Sequence, residues 1–224
     1  MISILPIEGL PEIRPGDDLP AHIAASGVEL VTGDVVVVAH KVVSKSEGRI
    51  LATDDRQAAA AAESVRVLRR SGSLIISETA HGFVCANSGV DASNVPGDTV
   101  ALLPLDPDLS ARRMRASLFN LTSADVGVIV SDTFGRAWRL GQTNLAIGVA
   151  GFEPFVDYRG TKDSFGRELS ATRICIADEL AGAAEMVMGK ADGVPAAVVR
   201  GAPVTFGRAA ATDIVRPPNE DLFR

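Results

Sequence analysis

Four stretches of the chain place charged and hydroxyl side chains beside glycine or other small residues. The most informative is VIVSDTFGRAWRLGQTN at 128–144, where an aliphatic run reaches Asp132 and Thr133 and two arginines follow. The other three are HKVVSKSEG at 40–48, HGFVCANSGVDASNVPGD at 81–98 and DYRGTKDSFGRE at 157–168. Carboxylates, hydroxyls and basic side chains together are typical of sites that bind a divalent ion and phosphates.

Asp91 and Asp132 are candidate ligands for Mg²⁺ or Mn²⁺. Each follows an apolar run and precedes a small or hydroxylated residue, which predicts a carboxylate at a strand end. These ions prefer oxygen ligands, commonly one or two carboxylates completed by phosphate oxygens and water. Lys45, Arg136 and Arg139 could then neutralise phosphate charge in a transition state. The residues alone leave a structural alternative open, because an aspartate after a strand often caps a helix or closes a turn.

The remaining distinctive side chains do not indicate a site. The histidines His22, His40 and His81 lack metal-ligand spacing. Trp138, the single tryptophan, is predicted to lie in the core or in an interface. Cys85 lies between Val84 and Ala86, which predicts a buried small apolar residue.

Composition excludes several classes of protein. The chain has 224 residues, a net charge of −6 and only 4% aromatic residues, which disfavours nucleic acid as a partner. No run of 18 uncharged apolar residues predicts a membrane span, and the N-terminus lacks the basic region of a signal peptide. Two cysteines are too few for a disulfide framework, so we expect a cytoplasmic protein.

The apolar pattern predicts more strands than helices. The predicted strands are 2–7, 34–44, 73–77, 99–105, 126–132, 144–150 and 195–201. The predicted helices are 57–70, 109–122 and 175–189, with capping residues at 53–55 and a C-cap at Gly189. Strands and helices do not alternate strictly, so we predict an α+β fold with a mixed sheet.

Common nucleotide fingerprints are missing from the sequence. Gly189-Lys190 is followed by Ala191, so there is no P-loop, and there is no GxGxxG after a strand, no HExxH and no GxSxG. Phosphate chemistry would therefore require a less common scaffold.

Six stretches together resemble one family. They are LPIEGLPEIRPGDDL, KVVSKSEGRI, HGFVCANSGVDASNV, SDTFGRAWRLGQTNLAIG, DYRGTKDSFGRELS and MGKADGVPAAVVRG, which span residues 3 to 201. In this order they closely resemble the coenzyme F420-0:L-glutamate ligase (F420 gamma-glutamyl ligase) family. DxxGRxWRxGQ and DxRGxxDxFGRE are long and distinctive patterns.

The resemblance implies an activity and an assembly. Members of the family use GTP and Mg²⁺ or Mn²⁺, with K⁺ as a further candidate cofactor, to join L-glutamate to coenzyme F420-0. Later rounds add gamma-linked glutamates, and the intermediate is an acyl phosphate. The implied fold is not a P-loop fold; it has two intimately packed lobes in an intertwined homodimer. Residues 1–224 would form this one domain, without the nitroreductase-like flavin domain that follows it in some relatives.

The resemblance also implies the site residues. The implied metal ligands are Asp91, Asp132 and Thr133, and the implied catalytic cations are Lys45, Arg136 and Arg139. The implied nucleotide contacts are Leu10, Pro11, Glu12, Ile13, His40, Lys45, Asn94, Gly189, Lys190, Ala191, Asp192 and Gly193. Two positions depart from the family: His40 stands where relatives often carry Ser or Gln, and Lys190 stands where some relatives place an amide that helps hold a metal. A protonated lysine cannot be a metal ligand.

Two other functions remain open. One is a nucleotide-dependent amide ligase for a different acceptor carboxylate, whose catalytic residues would look the same. The other is a catalytically silent nucleotide-binding protein. Release of phosphate from GTP that requires both acceptor and glutamate would distinguish a ligase from a binding protein.

Overall fold

The computed structural model describes residues 1–222, and within them the fold is α+β. The strands are β1 (Ser3–Pro6), β2 (Val35–Ala39), β3 (Ile50–Ala52), β4 (Ser64–Ser71), β5 (Leu74–Thr79), β6 (Val84–Ala86), β7 (Thr99–Ala101), β8 (Gly127–Arg136), β9 (Arg139–Ala150), β10 (Phe155–Asp157), β11 (Arg173–Cys175) and β12 (Ala196–Arg200). The helices are α1 (Leu19–Ala24), α2 (His40–Ser46), α3 (Arg56–Ala62), α4 (Pro107–Thr122) and α5 (Ile176–Met188). Short 3₁₀ helices occur at Asn87–Gly89, Ala211–Asp213 and Pro218–Glu220.

A five-stranded mixed sheet forms the centre, in the order β1-β12-β2-β8-β9. The pair β2–β8 is parallel and the other neighbouring pairs are antiparallel. The central strands are apolar throughout, as expected where helices cover both faces of a sheet. One face packs against α1, α2 and α4 through Val36, Val38, Val128 and Val130, and the other packs against α5 through Val35, Val37, Ile129 and Val149.

Smaller sheets surround this core. The strands β4, β5 and β6 form a three-stranded antiparallel sheet, and β3–β7 and β10–β11 are antiparallel pairs. The sheet pattern confirms the prediction of an α+β fold with a mixed sheet.

The two long helices lie where they were predicted, with ends within two residues of the predicted bounds. Asp106 caps α4 by accepting a hydrogen bond from the Leu109 backbone nitrogen at 2.8 Å. α5 ends at Gly189, whose φ of 60° favours glycine. A side chain at Gly148 of β9 would also clash, since its Cβ would lie 2.3 Å from the Pro107 carbonyl oxygen. This close approach sets the distance between α4 and the sheet.

Two predicted elements partly adopt the other type of secondary structure, and the predicted strand 99–105 ends at Ala101. The predicted strand 34–44 ends at Ala39, and His40–Ser46 is helical. The predicted helix 57–70 ends at Ala62, and Ser64–Ser71 forms β4, because its residues pair with β5. The Asp55 cap predicted for that helix is confirmed, as Asp55 accepts a hydrogen bond from Ala58 N at 2.8 Å.

Three further expectations are tested by burial and position. Trp138 is 74% exposed, so it is not a core residue of this chain. Cys85 is buried, as predicted. Asp132 does not end its strand, because β8 continues to Arg136 and turns into β9.

Within residues 1–222, no helix combines the length and apolar character that a membrane span needs.

Candidate active site

An open cleft of about 850 Å³ lies beside the carboxyl end of β2 and the middle of β8. Ligands of open α/β sheets commonly bind outside the carboxyl ends of parallel strands, and β2–β8 is the parallel pair of this sheet. Most of the predicted site residues line this one cleft. They are Leu10, Pro11, Glu12, Ile13, His40, Lys45, Asp91, Asn94, Asp132, Thr133, Gly189, Lys190, Ala191 and Gly193.

The parallel pairing places His40 beside Asp132. Ala39 of β2 pairs with Ser131 of β8, so the residues that follow them, His40 and Asp132, both lie at the cleft. His40 Nε2 lies 3.2 Å from Asp132 Oδ1, and the His40 side chain is 2% exposed. The contact lacks hydrogen-bond geometry, which leaves His40 Nε2 as a buried polar atom with no hydrogen-bond partner in residues 1–222. Such an atom is costly unless a further group satisfies it.

Strand β8 presents the carboxylate and the hydroxyl side by side. The Thr133 backbone nitrogen donates to Asp132 Oδ1 at 2.6 Å. Thr133 Oγ1 donates to Asn144 Oδ1 at 2.7 Å, because Thr133 and Asn144 are paired across β8 and β9. Asp132 Oδ1 and Thr133 Oγ1 are therefore each held by a hydrogen bond within the β8–β9 hairpin.

Asp91 reaches the cleft from the loop between β6 and β7. A bridge between Asp91 and Ala101 anchors this loop. Lys41 Nζ lies 2.9 Å from Asp91 Oδ2, and the Ser93 backbone nitrogen donates to Asp91 Oδ1 at 2.8 Å. Burial raises the pKa of Asp91, but the hydrogen bonds from Lys41 and Ser93 outweigh it and hold the pKa below its ordinary value. Asp91 is therefore a carboxylate at neutral pH.

Helix α2 supplies two lysines to the cleft. Lys41 and Lys45 are four residues apart, so they lie on the same face of the helix. Lys45 is buried, and its Nζ lies 2.5 Å from Oε1 of the exposed Glu12. A buried lysine with an exposed partner is well placed to exchange that partner for an anionic ligand.

The segment after α5 closes one side of the cleft. Asn94 Nδ2 donates to the Lys190 carbonyl oxygen at 3.3 Å, which joins this segment to the Asp91 loop. Lys190 Nζ contacts Thr133 Oγ1 at 2.5 Å and Asn144 Oδ1 at 3.1 Å. Asp192 is the predicted nucleotide contact that does not line the cleft, although it packs against Gly189, where a Cβ would lie 2.1 Å from Asp192 Oδ2.

The two arginines of the opening motif lie outside the cleft. Arg136 and Arg139 pair with each other at the tip of the β8–β9 hairpin, and both are exposed. The Arg136 guanidinium donates to the Leu140 carbonyl oxygen at 3.0 Å. Ala137 and Trp138 of the same tip line a second cavity of about 680 Å³.

Sequence reasoning missed several residues of the cleft. Lys41, Ser93, Gln142 and Asn144 also line it. The four-residue spacing of Lys41 and Lys45 would have placed both on one helix face if 40–46 had been predicted as a helix. Nothing in the sequence pairs Asn144 with Thr133, because that pairing depends on the register of the hairpin.

The donor set suits a hard divalent ion. Asp91, Asp132 and Thr133 offer carboxylate and hydroxyl oxygens to the same cleft, as Mg²⁺ and Mn²⁺ prefer. Among residues 1–222 no three His, Cys, Asp or Glu side chains are close enough to enclose a metal ion. A site with few protein ligands is typical of an ion whose coordination is completed by substrate phosphates and water.

Comparison with known proteins identifies the family. A sequence model of the family described as F420-0:Gamma-glutamyl ligase matches residues 9–201. The chain belongs to this family. Among similar members, Coenzyme F420:L-glutamate ligase of Methanopyrus kandleri is 42% identical, covering 100% of this chain and 99% of the relative. The proteins of the same name from Methanothermobacter thermautotrophicus and Methanocaldococcus jannaschii are 39% and 38% identical, covering 100% of this chain and 99% and 97% of themselves.

The region matched by the family model contains the whole cleft. The match runs from Gly9 to Gly201, so it includes all the segments that line the cleft. Four basic side chains line the cleft: Lys41, Lys45, Arg56 and Lys190.

Proposed function

We propose that the chain is a GTP-dependent ligase that joins L-glutamate to coenzyme F420-0 and then adds gamma-linked glutamates. The observation that carries the proposal is the cleft itself, where two carboxylates, a hydroxyl and three lysines meet in a member of this family. The relatives are named Coenzyme F420:L-glutamate ligase, which supports the two substrates. GTP and the divalent ion rest on the family resemblance and on the chemistry of the side chains.

The proposed reaction has two steps. A carboxylate oxygen of the acceptor attacks the γ-phosphorus of GTP, the bond from that phosphorus to the bridging oxygen breaks, and GDP leaves. The glutamate amine then attacks the carbonyl carbon of the acyl phosphate, inorganic phosphate leaves, and the amine loses a proton to solvent. Phosphoryl transfer of this kind depends mainly on positioning and on neutralisation of charge.

The residues of the cleft divide this work. Lys45 would exchange Glu12 for a phosphate oxygen, since Glu12 is 65% exposed and can move away. Asp91, Asp132 and Thr133 would hold Mg²⁺ or Mn²⁺, with K⁺ as a further candidate ion. When bound, a divalent ion supplies positive charge that offsets the phosphates. Thr133 and Asp132 are held by backbone pairing, so they need little reorganisation to bind it.

Mass spectrometry of F420-0 incubated with GTP, Mn²⁺ and L-glutamate tests the proposal. Addition of one or more glutamate masses supports it, and the number of additions gives the chain length. Release of phosphate that requires glutamate and an acceptor other than F420-0 would instead favour the second ligase function. Nucleotide binding with no acceptor-dependent phosphate release would identify a silent binding protein.

We also propose that two copies of the chain form a homodimer through the β8–β9 hairpin. The hairpin extends beyond the sheet, and Leu140 at its tip is 99% exposed; Phe165, in the loop between β10 and β11, is 90% exposed. Exposed large apolar side chains of this kind favour a protein interface. An intertwined interface would bury about 2,000 Å² or more. Such a dimer could bring Arg136 and Arg139 to the cleft of the other copy.

Mixing two inactive variants tests this composite site. Lys45→Met and Arg136→Ala chains, co-expressed with different tags, would form mixed dimers in which one cleft has both groups intact. With random pairing, about a quarter of the wild-type activity should return. Arg136→Ala dimers that retain full activity alone would refute the role of the arginine, and a monomeric active enzyme would refute the dimer.

A further inference from the structure

Three oxygen atoms from three different elements surround the ammonium group of Lys190. Thr133 Oγ1 of β8 lies at 2.5 Å and Asn144 Oδ1 of β9 at 3.1 Å. Glu185 Oε1 of α5 lies at 3.4 Å. A hydroxyl, an amide carbonyl and a carboxylate are all oxygen ligands of the kind that Mg²⁺, Mn²⁺ and K⁺ accept. The ammonium therefore occupies a position that has the donor set of a cation site.

The backbone fixes this position. Lys190 follows Gly189, whose nitrogen donates to the Glu185 carbonyl oxygen at 2.9 Å and so ends α5. Asn94 Nδ2 donates to the Lys190 carbonyl oxygen at 3.3 Å. The Lys190 side chain is 57% exposed, and its ammonium group contacts Thr133 Oγ1 beside Asp132. The backbone carbonyl and the ammonium group of Lys190 are therefore both hydrogen-bonded to residues of the cleft.

A metal ion cannot occupy the position that the Lys190 ammonium group already fills. Thr133 Oγ1 gives its proton to Asn144 Oδ1, so its lone pairs are left for Lys190 and for one further partner. Asn144 Oδ1 already accepts from both Thr133 and Lys190. A second cation at the same place would also meet the positive charge of Lys190 at close range.

We propose that Lys190 is a built-in cation that replaces one oxygen-liganded metal ion in this cleft. The chain would then bind its nucleotide with one metal ion fewer than a variant with a neutral oxygen-bearing side chain at position 190. The inference rests on the proposed function, because it concerns the charge that faces a bound nucleotide. Lys190 acts here as a residue that neutralises phosphate charge, and Thr133 remains free to hold the one ion shared with Asp132.

Counting bound ions tests the proposal. Mn²⁺ bound in the presence of a non-hydrolysable GTP analogue can be counted from the loss of the free Mn²⁺ signal in electron paramagnetic resonance. Wild type, Lys190→Gln, Lys190→Arg and Lys190→Met are compared, with Arg113→Gln as the matched control. Arg113 is exposed on α4, and its replacement removes the same unit of charge outside the cleft. A parallel series measures affinity for the analogue with and without K⁺ at constant ionic strength.

The expected result is one additional Mn²⁺ per chain, or a new dependence on K⁺, in Lys190→Gln alone. Lys190→Arg keeps the charge and should match wild type, while Lys190→Met lacks an oxygen ligand and should bind the analogue more weakly without gaining an ion. Equal ion counts and equal K⁺ responses in wild type and Lys190→Gln, with both folded by circular dichroism, would overturn the proposal and leave the proposed function intact. A wild type that binds no nucleotide would overturn both.

Discussion

Removal of the Asp108 carboxylate should strongly destabilise the fold. Asp108 lies in the first turn of α4 and is only 6% exposed. Its Oδ1 accepts hydrogen bonds from the backbone nitrogens of Val149 at 2.8 Å and Ala211 at 2.7 Å. Its Oδ2 accepts one from Thr212 at 3.3 Å. The side chain thus joins α4, β9 and the 3₁₀ helix at Ala211–Asp213.

The structure gives the magnitude. Val149 and Ala211 are fully buried, so Asp108→Ala leaves two buried donors without an acceptor. Each costs about 1–3 kcal/mol, which gives a loss of about 2–6 kcal/mol in the free energy of unfolding. Asp108→Asn keeps one oxygen for Val149 and Ala211 and loses only the longer bond to Thr212, so it should cost roughly 1–2 kcal/mol.

Urea denaturation followed by circular dichroism at one fixed protein concentration measures both losses. Asp106→Asn is the matched control, because Asp106 is an exposed cap at the start of the same helix and asparagine caps equally well. Its free energy of unfolding should change by less than about 0.5 kcal/mol. Equal losses for Asp108→Ala and Asp108→Asn, or a loss below about 0.5 kcal/mol for Asp108→Ala, would refute the explanation that buried donors without an acceptor destabilise the fold.

Three further predictions concern the cleft and the cysteines. Asp132→Asn should weaken Mn²⁺ binding and nearly abolish ligation while the fold is retained, since a neutral amide is a poor ligand for a hard cation; undiminished activity at limiting Mn²⁺ would contradict this. Lys45→Met should lower kcat by about 10²–10³ by analogy with the loss of one charge-stabilising donor, and unchanged steady-state kinetics with GTP would place Lys45 outside the reaction. Burial raises the pKa of the Cys85 and Cys175 thiols to about 12, so alkylation by iodoacetamide at pH 8 should be at least about 10²-fold slower in the native protein than in urea and should accelerate as the pH rises; equal rates in the two conditions would exclude the raised values.

Local sequence patterns predicted the elements whose signals lie within one segment. α4 and α5 have capping residues at their ends, and β2, β8 and β12 are short apolar runs. The boundary errors occurred where two signals adjoin. Valines on both sides of His40 favour strand by propensity, yet the chain turns into α2 there, because the paired strand β2 ends at Ala39. In β4 the alternation of Val65, Arg66 and Val67 was a strand signal hidden behind the alanine run.

The residues of the cleft were predictable as types but not as neighbours. His40 and Asp132 meet because β2 and β8 are parallel, and some 90 residues separate them in the chain. Lys190 meets Thr133 and Asn144 because α5 ends beside the hairpin. No local pattern encodes such pairings, so composition and motif could name the groups without giving their distances.

The position of Arg136 and Arg139 shows how far a motif can mislead when a single chain is considered alone. The motif places them four to seven residues after Asp132, which suggests one site. Strand geometry separates them, because a rise of about 3.3 Å per residue places Arg136 roughly 13 Å beyond Asp132 along β8. Within one chain the cleft therefore obtains its positive charge from Lys41, Lys45, Arg56 and Lys190. If the arginines take part in ligation, the extended hairpin must deliver them to another copy, and the recovery of activity in mixed dimers is the measurement that separates these two arrangements.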